Sequence, residues 1–222
     1  MQTDQETLLN AALAHVPFDG MNEAALMAGA RDIGMSAALA RVHFPQGGAG
    51  LAAAYHRRAD AQLRDWLAAT PPATPPEGRL RDRVAGAVWH RLTLVEPELV
   101  RAAAATLALP QNAPLGARLV WESADIIWTG LGDRSGDASW YSKRATLSAV
   151  ISATVLFWLG DDSPGRADSR AFLDRRIDGV MRFETFKTRL RKLPGAAALG
   201  DMAFGWIRAP RNRDLPGKTT TR

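Results

Sequence analysis

The chain is predicted to be all-α, a helix-turn-helix unit at the N-terminus followed by a larger helical domain. Three observations carry that prediction. Apolar residues recur at helical spacing in segment after segment, and capping residues, Gly and Pro punctuate the joins. No segment shows sustained alternation or an Asn-Gly hairpin, so strands are not expected. At 222 residues, 46% hydrophobic and 23% charged, the chain is long enough for one large domain or two small ones with an adequate core. The absence of cysteine excludes a disulfide scaffold, thiol catalysis and thiolate metal sites, and four scattered histidines leave little for zinc.

The elements follow in order. Thr3-Asp4-Gln5-Glu6 is a capping box ahead of Leu8, Leu9, Ala12, Leu13 and Val16, and Pro17-Phe18-Asp19-Gly20 ends that helix. Asn22 caps a second helix over 23–32, stopped by Gly34; Ser36 caps a third over 37–42, closed by Phe44-Pro45. These three short helices, the last two separated by a Gly turn, outline a helix-turn-helix. A longer helix is expected from about 51 to 67, then the stiff Thr70-Pro71-Pro72-Ala73-Thr74-Pro75-Pro76 linker, then helices over 79–94, 97–108, 115–131, 138–159 and 167–192. The implied organisation is an N-terminal unit over 1–46, a helical domain over 47–193 and a basic amphipathic tail over 194–222.

The helix over 138–159 places Leu147, Val150, Ile151, Thr154, Val155 and Trp158 on one stripe, with Leu156 and Phe157 outside it. A helix apolar over most of its circumference must be covered on more than one side, by a core, a cavity or a second copy. Trp121 and Trp128 lie two turns apart on one helix face. Such a pair is either core or the wall of a wide apolar pocket. On helix face alone, Leu119, Trp121, Ile151 and Val155 are the candidate lining of a cavity for a large hydrophobic ligand.

The net charge of +5 is unevenly placed: residues 182–222 carry +7 and the rest of the chain −2. In that basic segment Leu199, Met202, Phe204, Trp206 and Ile207 precede Arg208, as in a helix whose apolar face enters a bilayer while cations meet anionic headgroups. A docked helix with a solvated cationic back is the plainer alternative. The longest apolar stretch, 145–160, is too short to span a bilayer, and the polar, acidic start resembles no targeting signal. A cytoplasmic protein at the periphery of a membrane is expected.

Other constellations fail on inspection. Asp133-x-Ser135-x-Asp137 begins like a calcium loop, but Ala138 stands where Gly is needed and Arg144 where a bidentate Glu is needed. The Gly47-Gly48-Ala49-Gly50 run lacks the Lys-Ser/Thr of a phosphate loop. No catalytic residue, metal ligand or cofactor site is nominated. The first 45 residues hold five acids against Arg31 and Arg41, a net −3 that DNA phosphates would repel. A DNA-binding regulator using Arg31, Arg41 and His43 is the runner-up, and a structural or membrane-remodelling bundle the third reading.

The first three helices, ending in His43-Phe44-Pro45, resemble the TetR-regulator domain. Two further stretches, Ala108-Leu109-Pro110-Gln111-Asn112-Ala113-Pro114 and Gly132-Asp133-Arg134-Ser135-Gly136-Asp137-Ala138-Ser139-Trp140-Tyr141-Ser142-Lys143-Arg144-Ala145, resemble the ubiquinone-biosynthesis accessory protein family Coq-nine. Asp161-Asp162-Ser163-Pro164, leading to Phe172, Leu173, Arg175, Arg176 and Ile177, extends the likeness across roughly residues 5–195. The resemblance implies a TetR-like homodimer without DNA binding or catalysis. It would bind an isoprenoid quinone intermediate, with no other cofactor, at the membrane surface and present it to the demethoxyubiquinone hydroxylase. By the same resemblance Asp125, Ile127, Trp128, Trp140, Tyr141 and Arg144 would form the hydroxylase-binding patch.

Overall fold

In the computed structural model, residues 2–70, 79–136 and 138–191 are described. Among them the helices are α1 (Gln2–Asp19), α2 (Glu23–Asp32), α3 (Ala37–His43), α4 (Gly48–Ala69), α5 (Leu80–Thr93), α6 (Pro97–Leu107), α7 (Ala113–Gly130), α8 (Ala138–Leu159) and α9 (Ala167–Arg191), with a 3-10 turn at Pro164–Arg166. No strand occurs among the described residues. The proline linker and the tail, with Leu199, Met202, Phe204, Trp206, Ile207 and Arg208, lie outside them.

Two of the predicted caps form, whereas Thr3, at the head of the expected capping box, lies inside α1, which begins at Gln2. Asn22 accepts from the backbone N–H groups of Ala24 and Ala25, and Ser36 from that of Leu39. Two differences from the sequence expectation have local causes. Helix α1 continues past Pro17 to Asp19 and stops at Gly20, whose φ of +79° ends it. Helix α4 begins three residues early, at Gly48, after the turn at Gly47 with φ +53°, and Gly48 lies against the Met21 carbonyl: a Cβ there would sit 2.2 Å from the oxygen. Gly29 serves the same purpose at the α1–α2 crossing, where a Cβ would lie 2.4 Å from the Ala12 nitrogen.

Two apolar cores stack along α4. The first joins α1, α2 and Phe44 to Leu51, Ala52 and Tyr55 of α4 and to Leu99 and Ala103 of α6. The second joins Leu63 and Leu67 of α4 to α5, α7, α8 and α9. Helix α4 thus runs through both, and the N-terminal unit rests on its first half and on α6. The Pro110…Pro114 corner is tied down by Asn112, whose amide donates to the Thr106 carbonyl at the end of α6, while Thr106 in turn donates to Met21 O.

The α8–α9 corner is built on Asp161. Its carboxylate accepts from the Ser163 and Ser169 backbone N–H groups and the Ser169 hydroxyl, capping α9. Hydrogen bonds from Ser163 and Ser169 hold its carboxyl well below the usual carboxylate range. Arg166, at φ +56°, donates to the carbonyls of Trp158 and Asp161 and stacks over the Trp158 ring at 4.6 Å.

Gly29→Ala and Gly48→Ala each drive a methyl into backbone and should destabilise by about 1–3 kcal/mol, lowering the melting temperature by several degrees. Gly86→Ala in α5, with nothing within 4 Å of the new Cβ, should be neutral or stabilise by up to about 1 kcal/mol. Thermal unfolding followed by circular dichroism separates the two classes.

Candidate functional site

A predominantly apolar cavity of about 270 Å³ lies where α4, α5, α6, α7 and α8 converge. Val88, Leu92, Val100, Ala103, Ile127 and Ile151 form much of its wall. Leu156, 69% exposed, and the exposed Ser152 also line it, so its mouth opens on α8. Helix packing creates this space because the facing positions on α6 and α7, Ala103, Ala104 and Gly116, are small.

One part of the wall is polar. Asp60 of α4, buried to 2% exposure, accepts from Arg91 Nε of α5 at 2.6 Å and from the Ser123 hydroxyl of α7 at 2.9 Å. His56 Nε2 stands 2.8 Å from Ser123 Oγ and 3.4 Å from Asp60 Oδ2. Arg91 Nη2 donates to the His56 carbonyl at 3.0 Å. Burial pushes the Asp60 carboxyl up, but hydrogen bonds and charge from His56 and Arg91 outweigh it and leave the group below its ordinary value. His56, Arg91 and Ser123 face the cavity, whereas Asp60 also lines a polar cleft between α4 and α7 that reaches Asp125.

A second cluster forms where α7 turns into α8. Gly132, at φ +82°, closes α7 in a Schellman motif: its N–H reaches Thr129 O and that of Asp133 reaches Trp128 O. This aims Asp133 back at α8. Lys143 donates to Asp133 Oδ1 at 2.7 Å and Arg144 to Oδ2 at 3.1 Å. Arg144, only 2% exposed, also binds Asp125 Oδ1 at 2.5 Å and lies 3.9 Å from the centre of the Trp140 ring. Both carboxylate oxygens of Asp133, the first residue of the candidate calcium loop, are thus taken by protein cations, and Asp137 lies outside the described residues. Burial raises the Asp133 pKa, but Lys143, Ser135 and Arg144 bring it down to about 2.

Above this ionic base three rings meet. Trp140 and Tyr141 pack edge to face at 4.8 Å, and Trp121 approaches them at 6.0 and 6.4 Å. Tyr141 is 38% exposed. The rings belong to helices held together below by Arg144, so the patch is positioned rather than loose.

The structure redistributes the residues singled out from sequence. Ile151 and Val155 line the cavity. Leu119 is fully buried outside its wall, and Trp121 turns away to the aromatic patch. Helix-face counting could not separate these, because Trp121 sits beside the cavity-lining Val120 and its partners come from α8. Of the proposed partner-binding set, Asp125, Trp140, Tyr141 and Arg144 come together, with Arg144 beneath the surface. Ile127 and Trp128 do not reach that surface. Both are core residues, Trp128 donating from Nε1 to Lys143 O and lining a second, apolar cavity of about 150 Å³. Sequence reasoning missed His56, Asp60, Arg91 and Ser123; the signal available was a polar residue on an otherwise apolar face, as at Ser123 between Leu119 and Ile127.

Helix α3 presents a mixed surface. Leu39 and Val42 are exposed on it, and the Arg41 guanidinium is paired with Glu23 at 2.9 Å. No described helix is long and apolar enough to cross a membrane.

Comparison with known proteins adds the following. The COQ9 family matches residues 113–184, the segment from the start of α7 into α9. The chain is 34% identical over 191 residues to the mitochondrial ubiquinone biosynthesis protein COQ9 of Xenopus tropicalis, covering 82% of this chain and 59% of that protein. Its Drosophila melanogaster counterpart is 34% identical over 180 residues (80% and 55%), and the Homo sapiens one 31% over 183 (80% and 57%). The chain therefore spans less than two thirds of the length of these relatives. A TetR transcriptional regulator from Nitrosomonas europaea superposes with a TM-score of 0.60 at 16% identity, covering 79% of this chain and 97% of that one. The fold is TetR-like.

Asp133 has a side chain 5% exposed and a folded pKa of about 2 against an ordinary 3.8. Its depressed pKa contributes stability above pH 4, of about 2 kcal/mol, lost as the pH falls toward 2. Asp133→Asn should therefore be less stable than the parent chain at pH 6, the gap narrowing between pH 4 and pH 2; urea unfolding across that range measures it.

Proposed function

The chain belongs to the COQ9 family, and from that premise we propose that it acts in ubiquinone biosynthesis as a non-catalytic lipid-binding accessory protein. It draws an isoprenoid quinone intermediate from a membrane surface and presents it to the demethoxyubiquinone hydroxylase. The observation that carries this reading is the apolar cavity opening beside exposed Leu156 on α8. A polyprenyl chain costs about 0.8 kcal/mol per CH₂ to hold in water. A dry chamber with an open mouth offsets that cost for the part of the chain it encloses, so the polar head can travel without a free lipid in solution.

The aromatic patch supplies the partner face. Trp and Tyr dominate interface hot spots, and here they are set over a buried Arg–carboxylate base that fixes their orientation. A homodimer is part of the same proposal. Ala145 and Ala149, uncharged and exposed on α8 between Tyr141 of the patch and Ser152 at the mouth, are the positions that would take a second copy. The basic tail is assigned to the membrane surface by its charge and its aromatic residues. A DNA-binding regulator has less support, since the exposed residues of α3 include apolar Leu39 and Val42 and its arginine is already paired.

Organic extraction of the purified protein should yield a prenylated quinone or another isoprenoid lipid at up to one per chain. Ala104→Trp, which fills the cavity from α6, should lower that yield at least tenfold while leaving the circular dichroism spectrum intact. A parent protein that extracts empty and takes up no added quinone overturns the carrier reading. Trp140→Ala or Tyr141→Ala should weaken hydroxylase binding by about 2 kcal/mol or more, roughly thirtyfold in Kd, measured by calorimetric titration, without changing the extracted lipid.

A further inference from the structure

We propose that the polar wall formed by Tyr55, His56 and Arg91 is a head-group subsite. It takes an uncharged hydrogen-bond acceptor, such as the carbonyl of a quinone ring, with the ligand's apolar tail running toward Leu156. The proposal rests on the reading of the cavity as a lipid site.

The donors come first. Arg91 spends Nε on Asp60 and Nη2 on the His56 carbonyl. Its Nη1 has no hydrogen-bond partner among the described residues, although the side chain is only 10% exposed and the residue lines the cavity. Tyr55 adds a second donor. Its buried hydroxyl accepts from the Glu96 N–H at 2.9 Å, which leaves its own proton to give, and burial, the largest influence, raises its pKa so that it stays protonated. Donors on the wall of an apolar chamber favour an acceptor over bare hydrocarbon, and a guanidinium donor makes a stronger bond than a neutral one.

The charge balance then selects the acceptor. Asp60 is ionised and offsets Arg91 one for one within the same cluster. A carboxylate or phosphate head would bring a further negative charge into a site already balanced, with the desolvation penalty of a buried ion and no second arginine or lysine among the described lining residues to repay it. A neutral carbonyl or ether oxygen needs only the donors. Charge is also confined to the inner wall: Leu156 and Ser152 at the mouth are uncharged, as are Ala104 and Leu107. The arrangement therefore orients an amphiphile head inward.

The test uses the full chain and three probes with one tail: a farnesyl benzoquinone, farnesane without a head, and farnesoic acid with a charged one. Binding is measured by equilibrium partition from detergent micelles, for the parent chain and two variants. One is Tyr55→Phe. The other pairs Arg91→Met with Asp60→Leu, so that neither ion is left alone in the interior; Tyr55→Phe keeps the test decisive should the pair fail to fold. The parent chain should bind the quinone at least tenfold more tightly than either other probe, and each folded variant should lose most of that preference with farnesane affinity unchanged. Equal affinity for quinone and farnesane, a preference for farnesoic acid, or variants that weaken all probes alike would overturn the subsite while the lipid cavity stands. Failure of the parent chain to bind any of the three would overturn the cavity reading, and the subsite with it.

Discussion

One buried carboxylate holds the middle of this molecule. Asp60 sits in α4 at the level where the N-terminal core ends and the C-terminal core begins, and it takes bonds from Arg91 on α5 and Ser123 on α7. Burying a charge is expensive unless the partners are well placed, and removing one partner of such a pair is far worse than never having had it. Three helices are consequently held in one register: any slip of α4 against α5 or α7 would strand an ion. The same register leaves the space beside the cluster that α6 and α8 do not fill, because α6 and α7 present alanine and glycine there.

A second ionic knot does for the surface what Asp60 does for the interior. The Schellman turn at Gly132 puts Asp133 under the start of α8, where Lys143 and Arg144 claim its two oxygens. Arg144 then carries the Trp140 ring on one side and reaches Asp125 on α7. Its charge is not available to a partner, being enclosed and doubly paired. What it contributes to the surface is orientation: the rings above it are displayed because the cation below has nowhere else to go.

Cavity and patch are parts of one arrangement. Helices α7 and α8 each supply residues to both: Val120 and Ile151 to the chamber, Trp121 and Tyr141 to the patch. The proposed carriage of an apolar ligand to a partner needs these two features close together and rigidly related, and the two helices shared between them supply that relation.

Much of the fold was legible in the sequence. Capping residues and Gly/Pro stops locate the helix boundaries to within about three residues because the unpaired groups at a helix end must be satisfied locally, and the α8 limits emerge unchanged. Helical periodicity also marks which positions of α8 turn inward. It does not say what they meet. Leu119 and Trp121, Ile127 and Trp128 carry equal apolar weight on one helix, yet one closes a core, one joins a surface patch and two pack inward, because neighbours from α4, α5 and α8 decide. Nor could any spacing bring His56, Asp60, Arg91 and Ser123 together, spread as they are over three helices. The sequence by itself determined the all-α class, the helix limits and the family likeness, each of which depends on residues near in the chain. Only the tertiary structure decided where the cavity lies, which of its walls is polar and which aromatic rings face outward, since each of these is set by the packing of helices distant in sequence.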